Sequence, residues 1–356
     1  MGIKNLNKFL RDKCPDVFVM THLSMYAYKK IAIDISLYMH KFKAVCGDNW
    51  LSAFLNLVAS LRNNEIHCVF IFDGKAPPEK DAEKAKRKEE KEKLDQTVME
   101  LEEALNVYHT TGVIEPILIR LYATRKEDDQ PKRLLGKSTN TIDIRWIEDK
   151  INQKRKQIIN ISPIDFEYAK ELFDILHVPY YTAIGEAEKM CAKLCIDGHV
   201  EAVLSEDTDV IAYRAPYFLT KIDTREETCL SLHYSSILDQ LQLTPEQMLD
   251  LCIMCGTDYN TNIPKIGVHT AYKNLVQHGS IDNIGLNTNL DISILAHVRG
   301  RELFTVFSDY KIDKIPYCGQ PDFNALEQFA TTHKLSLNID KFRSNFTRQI
   351  IILDDD

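Results

Sequence analysis

The stretch CVFIFDG, residues 68–74, decides the fold class of this chain, because an uninterrupted apolar run ends on an acidic residue and a glycine. Such runs are typical of strands buried on both faces of a parallel sheet. KIAID, residues 30–34, repeats the pattern upstream, and apolar residues at helical spacing fill residues 50–62 between the two runs. This alternation of strand, helix and strand predicts an α/β fold with a mostly parallel sheet flanked by helices.

The downstream half of the chain continues the alternation. We predict a helix over residues 186–196, a strand over 202–204, and a further helix that begins at the capping motif TPEQ, residues 244–247, and ends near residue 255. Residues 79–107 are dense in Lys and Glu and predict a long exposed helix. We expect residues 108–146 to be mobile or loosely packed, with another helix beginning near residue 145.

Seven acidic residues share a position at the end of a strand-like run or the beginning of a helix-like one. They are Asp34, Asp73, Glu186, Glu188, Asp207, Asp209 and Asp258. The carboxyl ends of parallel strands face the crevice where open α/β sheets bind their ligands. Carboxylates gathered there repel one another unless hard divalent cations hold them. A single pair two residues apart is more often a turn, but four separate positions that deliver carboxylates are far more specific.

The donor type suggests the cofactor and the chemistry. Carboxylates without His or Cys favour Mg²⁺, for which Mn²⁺ can substitute. Two such ions together are the usual arrangement for attack on a phosphodiester. A Ser/His or Cys/His nucleophile pair is not evident in the sequence, so we predict metal-assisted hydrolysis rather than a covalent intermediate.

Two further segments carry features that suit phosphate binding. Four cations of the charged helix, Lys80, Lys84, Arg87 and Lys91, are spaced to share one face. They either form pairs such as Glu83–Arg87 on a solvated helix or neutralise a phosphate. The segment GTDY, residues 256–259, is followed by IPKIGV and a helix over 270–276. A tight turn that opens a helix can bind phosphate through backbone N–H groups, although it could equally be an ordinary packing unit.

The bulk composition excludes some classes. The net charge of −8 over 356 residues argues against a generic polyanion binder, although local basic patches can still bind nucleic acid. The nine cysteines are scattered and indicate reduced thiols in an intracellular protein. We interpret Cys252 and Cys255, and likewise Cys191 and Cys195, as buried apolar residues rather than a zinc or redox site. No stretch of about 18 apolar residues occurs, so we expect no membrane span.

At these motifs the chain resembles the flap endonuclease family of structure-specific 5′ nucleases, related to the xeroderma-pigmentosum-G nucleases. The resemblance lies in the motifs MGI (1–3), AID (32–34), FDGK (72–75), GEAE (185–188), EDTD (206–209) and LCIMCGTDY (251–259), which follow the family's order. It covers residues 1–95 and 160–285, and weakly the last seventy. It implies a PIN-like, resolvase-like sheet with a helical arch insertion and a helix–two-turn–helix motif.

The resemblance also implies roles for individual residues. Asp34, Asp73, Glu186 and Glu188 match ligands of one metal ion, and Asp207, Asp209 and Asp258 match ligands of the other, with Glu188 shared. Lys80 and Arg87 match catalytic cations. DNA contacts would come from Gly2, near the active site once Met1 is removed, and from Lys84, Lys91, Lys265, Gly267 and His269. A K⁺ ion at residues 256–276 would assist the grip on duplex DNA.

The resemblance divides the chain into five regions. They are a nuclease region (1–95), an arch or cap insertion (96–160), a second nuclease region (161–245), the helix–two-turn–helix (246–285) and a helical C-terminal region packed on the core (286–356). The expected substrate is branched DNA with a 5′ flap, cut by a monomer. The place of action would be the nucleus of a eukaryotic cell, or a cytoplasmic replication site if the chain is viral.

The chain departs from the family pattern at several positions. The region between Arg87 and Glu186 is longer than in a typical cellular member, and His40 and Gly47 stand where an aromatic residue and a basic residue are common. His269 and Thr270 replace basic residues, and we find no box for binding a sliding clamp. Two alternatives to a flap endonuclease follow: a junction- or bubble-specific nuclease of the same superfamily, and an inactive nucleic-acid-binding scaffold.

Overall fold

The computed structural model describes residues 2–125, 142–305, 307, 312, 314–335, 337–344 and 346. The chain forms two compact units. The first comprises Met1–Asp81 and Ile161–Asp356, and the second comprises Ala82–Asn160.

A seven-stranded sheet is the centre of the first unit. Its strands are β1 (Val19–His22), β2 (Lys30–Asp34), β3 (His67–Phe72), β4 (Tyr180–Thr182), β5 (Ala202–Leu204), β6 (Tyr217–Asp223) and β7 (Thr228–His233). Their order across the sheet is β1-β7-β6-β5-β2-β3-β4. The four pairings among β4, β3, β2, β5 and β6 are parallel, and β7 pairs antiparallel with both β6 and β1. The prediction of a mostly parallel α/β sheet is therefore confirmed.

The helices account for most of the remaining described residues. They are α1 (Leu6–Lys13), α2 (Ile35–Cys46), α3 (Trp50–Asn63), α4 (Asp81–Thr111), α5 (Pro116–Tyr122), α6 (Ile144–Arg155), α7 (Pro163–Ile175), α8 (Ala187–Ile196), α9 (Asp209–Ala212), α10 (Tyr234–Leu241), α11 (Pro245–Cys255), α12 (Val268–His278), α13 (Ile281–Asn287), α14 (His297–Thr305), α15 (Phe323–Thr332) and α16 (Ile339–Ser344). The predicted helices over 50–62, 186–196 and 244–255 correspond to α3, α8 and α11.

Alternation along the central strands divides the core into two layers. Ile31 and Ile33 of β2 belong to one apolar cluster, whereas Ala32 between them belongs to the other. Successive side chains of a strand point to opposite faces, so both faces of the sheet are covered. In the first layer Phe70 of β3 stacks on Phe173 of α7, with 4.1 Å between ring centroids. This double burial explains why these strands are continuous apolar runs.

The second unit has a small core of its own. Helices α4, α5 and α6 bury one apolar cluster, which includes Leu101, Leu118 and Ile147. Because Leu118 is fully buried, the expectation of loose packing over residues 108–146 is wrong for α5, whose apolar side chains pack against α6. The other part of that expectation, residues 126–141, lies outside the described residues.

The structure also bears on two expectations from composition. Within the described ranges, every helix is too short or too polar to cross a membrane. Cys191, Cys195, Cys252 and Cys255 are buried free thiols, as their interpretation as apolar core residues requires.

Candidate active site

The carboxyl ends of β2 and β3 place two of the acidic residues side by side. Asp34 is the last residue of β2 and caps α2, accepting a 2.8 Å hydrogen bond from the Ser36 N–H. Asp73 follows β3 and accepts hydrogen bonds from the Ser36 hydroxyl at 2.6 Å and from the Ala187 N–H at 2.9 Å. One serine therefore joins the two carboxylates, and the N-terminus of α8 holds Asp73 as well.

A glycine permits the close approach between β3 and the segment before α8. The Gly74 N–H donates to the Gly185 carbonyl at 2.8 Å. A Cβ atom at Gly74 would overlap the carbonyl oxygen of Ala183. Only glycine fits this contact, which brings Asp73 next to the beginning of α8 and to Glu186, its N-cap residue.

Three carboxylates converge where α8 begins and β5 ends. Glu188 lies in the first turn of α8, and Asp207 and Asp209 follow β5. One oxygen from each lies within 4.8 Å of the others. The Asp209 N–H donates to Asp207 at 3.0 Å and fixes the turn that points both side chains the same way. The structure thus brings together residues that are separated in sequence.

The cluster is electrostatically strained without a counter-ion. Burial, together with the charges of Asp73 and Asp207, raises the pKa of Asp34 well above its ordinary value. Burial and the charges of Asp207, Asp209 and Asp34 likewise raise the pKa of Glu188. The pKa of Asp207 is also raised, mainly by burial, although the Asp209 N–H opposes this shift. These carboxylates need an added positive charge to be ionised together at neutral pH.

Lys80 supplies one such charge. Its ammonium contacts Glu186 and lies 3.2 Å from Asp258. Burial alone lowers the pKa of Lys80, but Glu186 and Asp258 outweigh burial and raise it. Lys80 therefore stays protonated and ties Asp258, which follows α11, to the beginning of α8. Lys80 is the last residue of a 3₁₀ turn that precedes α4. It is therefore not part of the helix that carries Lys84, and the expected single helical face does not include it.

The amino terminus lies against the cluster. Gly2 has a φ of +85°, and a Cβ atom there would overlap an Asp207 carboxylate oxygen and lie 2.8 Å from the Thr208 hydroxyl. The Ile3 N–H donates to that hydroxyl at 2.9 Å. Gly2 is therefore placed next to the carboxylates, where the resemblance implied that it would be.

The other cations expected to act belong to the second unit. Arg87 is exposed and pairs with Glu83 at 3.1 Å, as the i, i+4 spacing predicted. Lys84 is exposed on the same helix. Lys91 donates to the Ile159 carbonyl at 2.8 Å and to the Asn160 side chain at 2.7 Å. Lys91 thus holds the returning chain of its own unit, a role that the sequence did not reveal.

The remaining expected DNA contacts lie in the segment between α11 and α12 and in the first turn of α12. Lys265 and Gly267 are exposed, and Gly267 caps α12. His269 in the first turn of α12 is exposed as well, and its ring packs edge-on against Phe9 of α1 at 5.2 Å. These three residues form a surface turn at the beginning of a helix.

Sequence reasoning missed several polar residues that organise the site. Ser36 and Thr208 hold backbone and carboxylate groups in place, and Lys41 forms an ion pair with Glu206, next to Asp207. The N-cap residue of α2 is Asp34 rather than Ser36, and the Ser36 hydroxyl reaches Asp73, 37 residues away, so its role had no local signal. The partner of Lys41 lies 165 residues away, so no local pattern could have paired them.

The residues present fit a divalent metal centre. Every donor at the convergence point is a carboxylate oxygen, the ligand that Mg²⁺ and Mn²⁺ prefer. The raised pKa values show that a cation there would remove an electrostatic cost that the protein alone does not relieve.

Comparison with known proteins gives the family. The XPG N-terminal domain matches residues 1–94, and the XPG I-region matches residues 177–258. A probable RAD2-like endonuclease of invertebrate iridescent virus 3 is 32% identical over 93% of this chain and 92% of its own length. Flap endonuclease 1 of Zea mays is 31% identical over 82% of this chain and 70% of its own length.

Solved structures share the fold. The catalytic core of Rad2 in complex with DNA substrate superposes with a TM-score of 0.65, covering 97% of this chain and 98% of that one at 17% identity. Flap endonuclease-1 from Methanococcus jannaschii gives a TM-score of 0.58 at 20% identity, over 93% of this chain and 95% of that one.

The mostly parallel α/β sheet is the PIN-like fold that this chain shares with these structures. The chain belongs to the XPG family of structure-specific nucleases, which hydrolyse phosphodiester bonds.

Proposed function

We propose that this protein is a divalent-metal-dependent 5′-flap endonuclease with 5′-to-3′ exonuclease activity, acting on branched DNA in replication and repair. The observation that carries the proposal is the convergence of Glu188, Asp207 and Asp209 within 4.8 Å, with Lys80 held beside them by Glu186 and Asp258. The similarity to flap endonuclease 1 of Zea mays supports the flap substrate.

Two ions, Mg²⁺ or in its place Mn²⁺, would be divided between two groups of carboxylates. Asp34, Asp73 and Glu186 would hold one ion, and Asp207, Asp209 and Asp258 the other, with Glu188 between them. Bound divalent ions activate water and neutralise charge on the phosphodiester. The chain's own residues orient these ligands through Ser36, the Ala187 N–H and the Asp209 N–H.

Lys80 is suited to act on the substrate directly. Its ammonium lies within reach of two of the proposed ligands and stays charged across the physiological pH range, so it can donate to a phosphate oxygen at the reacting centre. We propose that Arg87 gives a second cation when substrate binds.

The remaining DNA contacts would lie on either side of this centre. Residues 96–160 would form an arch over the single strand, with Lys84 and Lys91 at its base, and residues 246–285 would grip the duplex as a helix–two-turn–helix. Lys265, Gly267 and His269 would contact the backbone there, with K⁺ bound at the turn. The enzyme would act as a monomer inside the cell, in the nucleus or at a viral replication site.

The decisive experiment compares end-labelled flap, bubble and four-way-junction DNAs with Mg²⁺ and with EDTA. We expect metal-dependent cleavage at the base of the flap. Preferential cleavage of bubbles or junctions would support the junction- or bubble-specific alternative instead.

The variant Asp207→Asn tests the site assignment in the same assay. It should abolish cleavage and leave flap binding largely intact, because the amide keeps the size of the side chain and removes its charge. Unchanged turnover would exclude Asp207 as a metal ligand, and a wild-type protein that binds flaps without cutting any of the three DNAs would be the inactive scaffold.

A further inference from the structure

A cavity of about 230 Å³ lies directly beside the carboxylate cluster, on the first unit. Glu186 and Tyr259, which adjoin the cluster, form part of its wall. The cavity is smaller than the roughly 300–1,000 Å³ of pockets that enclose whole small-molecule ligands. It therefore has room for one small unit of a larger substrate that is anchored elsewhere, and the adjacent cluster is where that substrate would react.

One part of the cavity wall is apolar. Ile184 and Phe307 both line it, with Met190 and Leu303 between them. Ile184 is 63% exposed, although it is a large aliphatic side chain on the segment that leads into α8. The Tyr259 ring completes this wall, and its hydroxyl is held at 2.7 Å from that of Tyr213. A flat aromatic or heteroaromatic group can pack against such a surface.

The other part of the wall is cationic. Lys189 and Lys193, one turn apart on α8, hold their ammonium groups 5.7 and 5.9 Å from the centroid of the Phe307 ring. Lys189 also donates to the Leu303 carbonyl at 2.7 Å, which fixes it on the wall. Lys75 is exposed at the rim. Lys193 also pairs with Asp197 at 2.5 Å, and the carboxylate of Glu186 is already contacted by Lys80, so Lys75 and Lys189 are the cations that these two carboxylates leave on the wall. The excess positive charge favours an anion.

We propose that this cavity, called here the base pocket, binds one unpaired nucleotide of the DNA strand next to the scissile phosphate. The base packs on Ile184 and Phe307, and Lys75 contacts the adjoining phosphate. This inference rests on the proposed function, because it specifies which part of a flap substrate the same site holds.

The size of the base pocket selects an unpaired nucleotide rather than a base pair. A paired base cannot enter a cavity of this volume without leaving its partner, whereas the nucleotides of a 5′ flap are already unpaired. In a flap substrate the unpaired nucleotide next to the cut lies on the 5′ side. The base pocket would therefore bind a flap more tightly than a continuous duplex, because the two substrates differ at the nucleotide that it holds.

The test is binding measured by fluorescence anisotropy in EDTA, so that no cleavage occurs. Three flap DNAs are compared: one intact, one with an abasic site at the first unpaired nucleotide, and one with the abasic site five nucleotides further out. We expect the first abasic site to weaken binding by the wild-type protein about tenfold, the size of one base-packing contact. The distant abasic site should have no effect.

Pocket variants then show whether the lost contact is the proposed one. Ile184→Asp and Phe307→Ala should bind intact flap as weakly as the wild-type protein binds the abasic flap, and should lose nothing more on the abasic flap. Ile184 is exposed, so Ile184→Asp should melt at the wild-type temperature. Lys75→Ala should keep its sensitivity to the abasic site and reduce the salt dependence of binding by about one phosphate contact.

Lys29→Ala is the matched control. Lys29 precedes β2, at the edge of the sheet opposite the cluster, and forms an exposed pair with Glu201 at 3.1 Å. It should behave as wild type. Equal losses by the pocket variants on intact and abasic flaps, or a wild-type protein indifferent to the first abasic site, would overturn the base pocket alone. Equal wild-type affinity for flap and blunt duplex would overturn the flap proposal and the base pocket with it.

Discussion

Gly2 is held in a conformation and a space that only glycine accepts. Its φ of +85° is unfavourable for other residues, and a Cβ atom would overlap the Asp207 carboxylate. We expect Gly2→Ala to displace Asp207 and to slow cleavage about 100-fold, the cost of misplacing a reacting group by ~1 Å. The measurement is single-turnover cleavage of a flap DNA.

Gly198→Ala is the control that separates the steric overlap of an added Cβ atom from the backbone strain of a positive φ. Gly198 also has a positive φ, +74°, but nothing lies within 4 Å of the added Cβ. It should cost about 1–2 kcal/mol of folding stability and leave the cleavage rate unchanged. A Gly2→Ala enzyme as active as Gly198→Ala would contradict the placement of Gly2 against Asp207.

Glu188 gives the metal-free protein a specific pH dependence. Its pKa in the folded state is raised above the ordinary 4.5 by burial and by neighbouring carboxylates. Between these two values the folded protein binds more protons than the unfolded chain, so the free energy of unfolding falls as pH rises. Ionised Glu188 destabilises the protein to its full extent only at a pH above the pKa that Glu188 has in the folded state.

Glu188→Gln should therefore raise the melting temperature in EDTA at pH 7.5 by about 2–4 °C, corresponding to roughly 1 kcal/mol. The difference from wild type should shrink as the pH is lowered towards 4.5. Mg²⁺ should stabilise the wild-type protein and have less effect on the variant. A variant less stable than wild type in EDTA at pH 7.5 would show that Glu188 is not under electrostatic strain.

At the scale of elements, one buried carboxylate joins three helices, α11, α13 and α14. Asp250 of α11 is 2% exposed and accepts two hydrogen bonds from Arg301 of α14, both at 2.7 Å. It also accepts the Ile281 N–H at the beginning of α13, at 3.0 Å. Arg301 reaches Asp282 of α13 as well, at 2.8 Å. Removing the guanidinium would leave a buried charge with only a backbone donor.

Arg301→Ala should accordingly destabilise the protein by about 3 kcal/mol, since breaking a buried pair costs more than the pair itself contributes. Urea denaturation measures the loss. Arg299→Ala on the same helix is the control, because Arg299 is half exposed and pairs with Glu79 and Glu302 at the surface; it should leave the stability close to that of the wild-type protein. Equal losses for the two variants would contradict the central role of Asp250.

The elements that sequence patterns predicted well are those buried on both sides. β2, β3 and β5 are continuous apolar runs, and their positions agree with the structure within one or two residues. The strands β1, β6 and β7 were not predicted. β1 is largely exposed and β7 alternates only in part, so neither gives a strong apolar signal. The 3₁₀ turn that ends at Lys80 was not predicted for a different reason: its residues are equally compatible with the first turn of an α-helix.

For the whole molecule, the motif order predicted which residues would gather but not how they are held. Parallel strands bring their carboxyl ends to one edge by topology, and this made Asp34, Asp73, Asp207 and Asp209 predictable as a set. The other three carboxylates, Glu186, Glu188 and Asp258, adjoin helix ends. The hydrogen bonds from Ser36, the glycine contact at Gly74 and the approach of Gly2 all join segments distant in sequence. Such contacts depend on the final packing, and no local pattern encodes them. The base pocket likewise depends on packing, because its wall is formed by segments distant in sequence, from Lys75 to Phe307.

The division of the chain into two units leads to a test on the whole molecule. The chain enters the second unit at Ala82, two residues after Lys80, whose ammonium contacts Glu186, and returns to the first unit at Ile161. If residues 96–160 form the proposed arch, a single strand must pass through it by its free 5′ end. Streptavidin bound to a 5′-biotin before the enzyme is added should then reduce cleavage to near background. Streptavidin added after enzyme and DNA have equilibrated without Mg²⁺ should leave the first turnover intact, because the strand is already threaded.

The same block on the 3′ end of the flap strand is the control and should not slow the reaction. Equal rates for DNA blocked at the 5′ end before and after equilibration would show that the strand does not thread, and the second unit would then need another role.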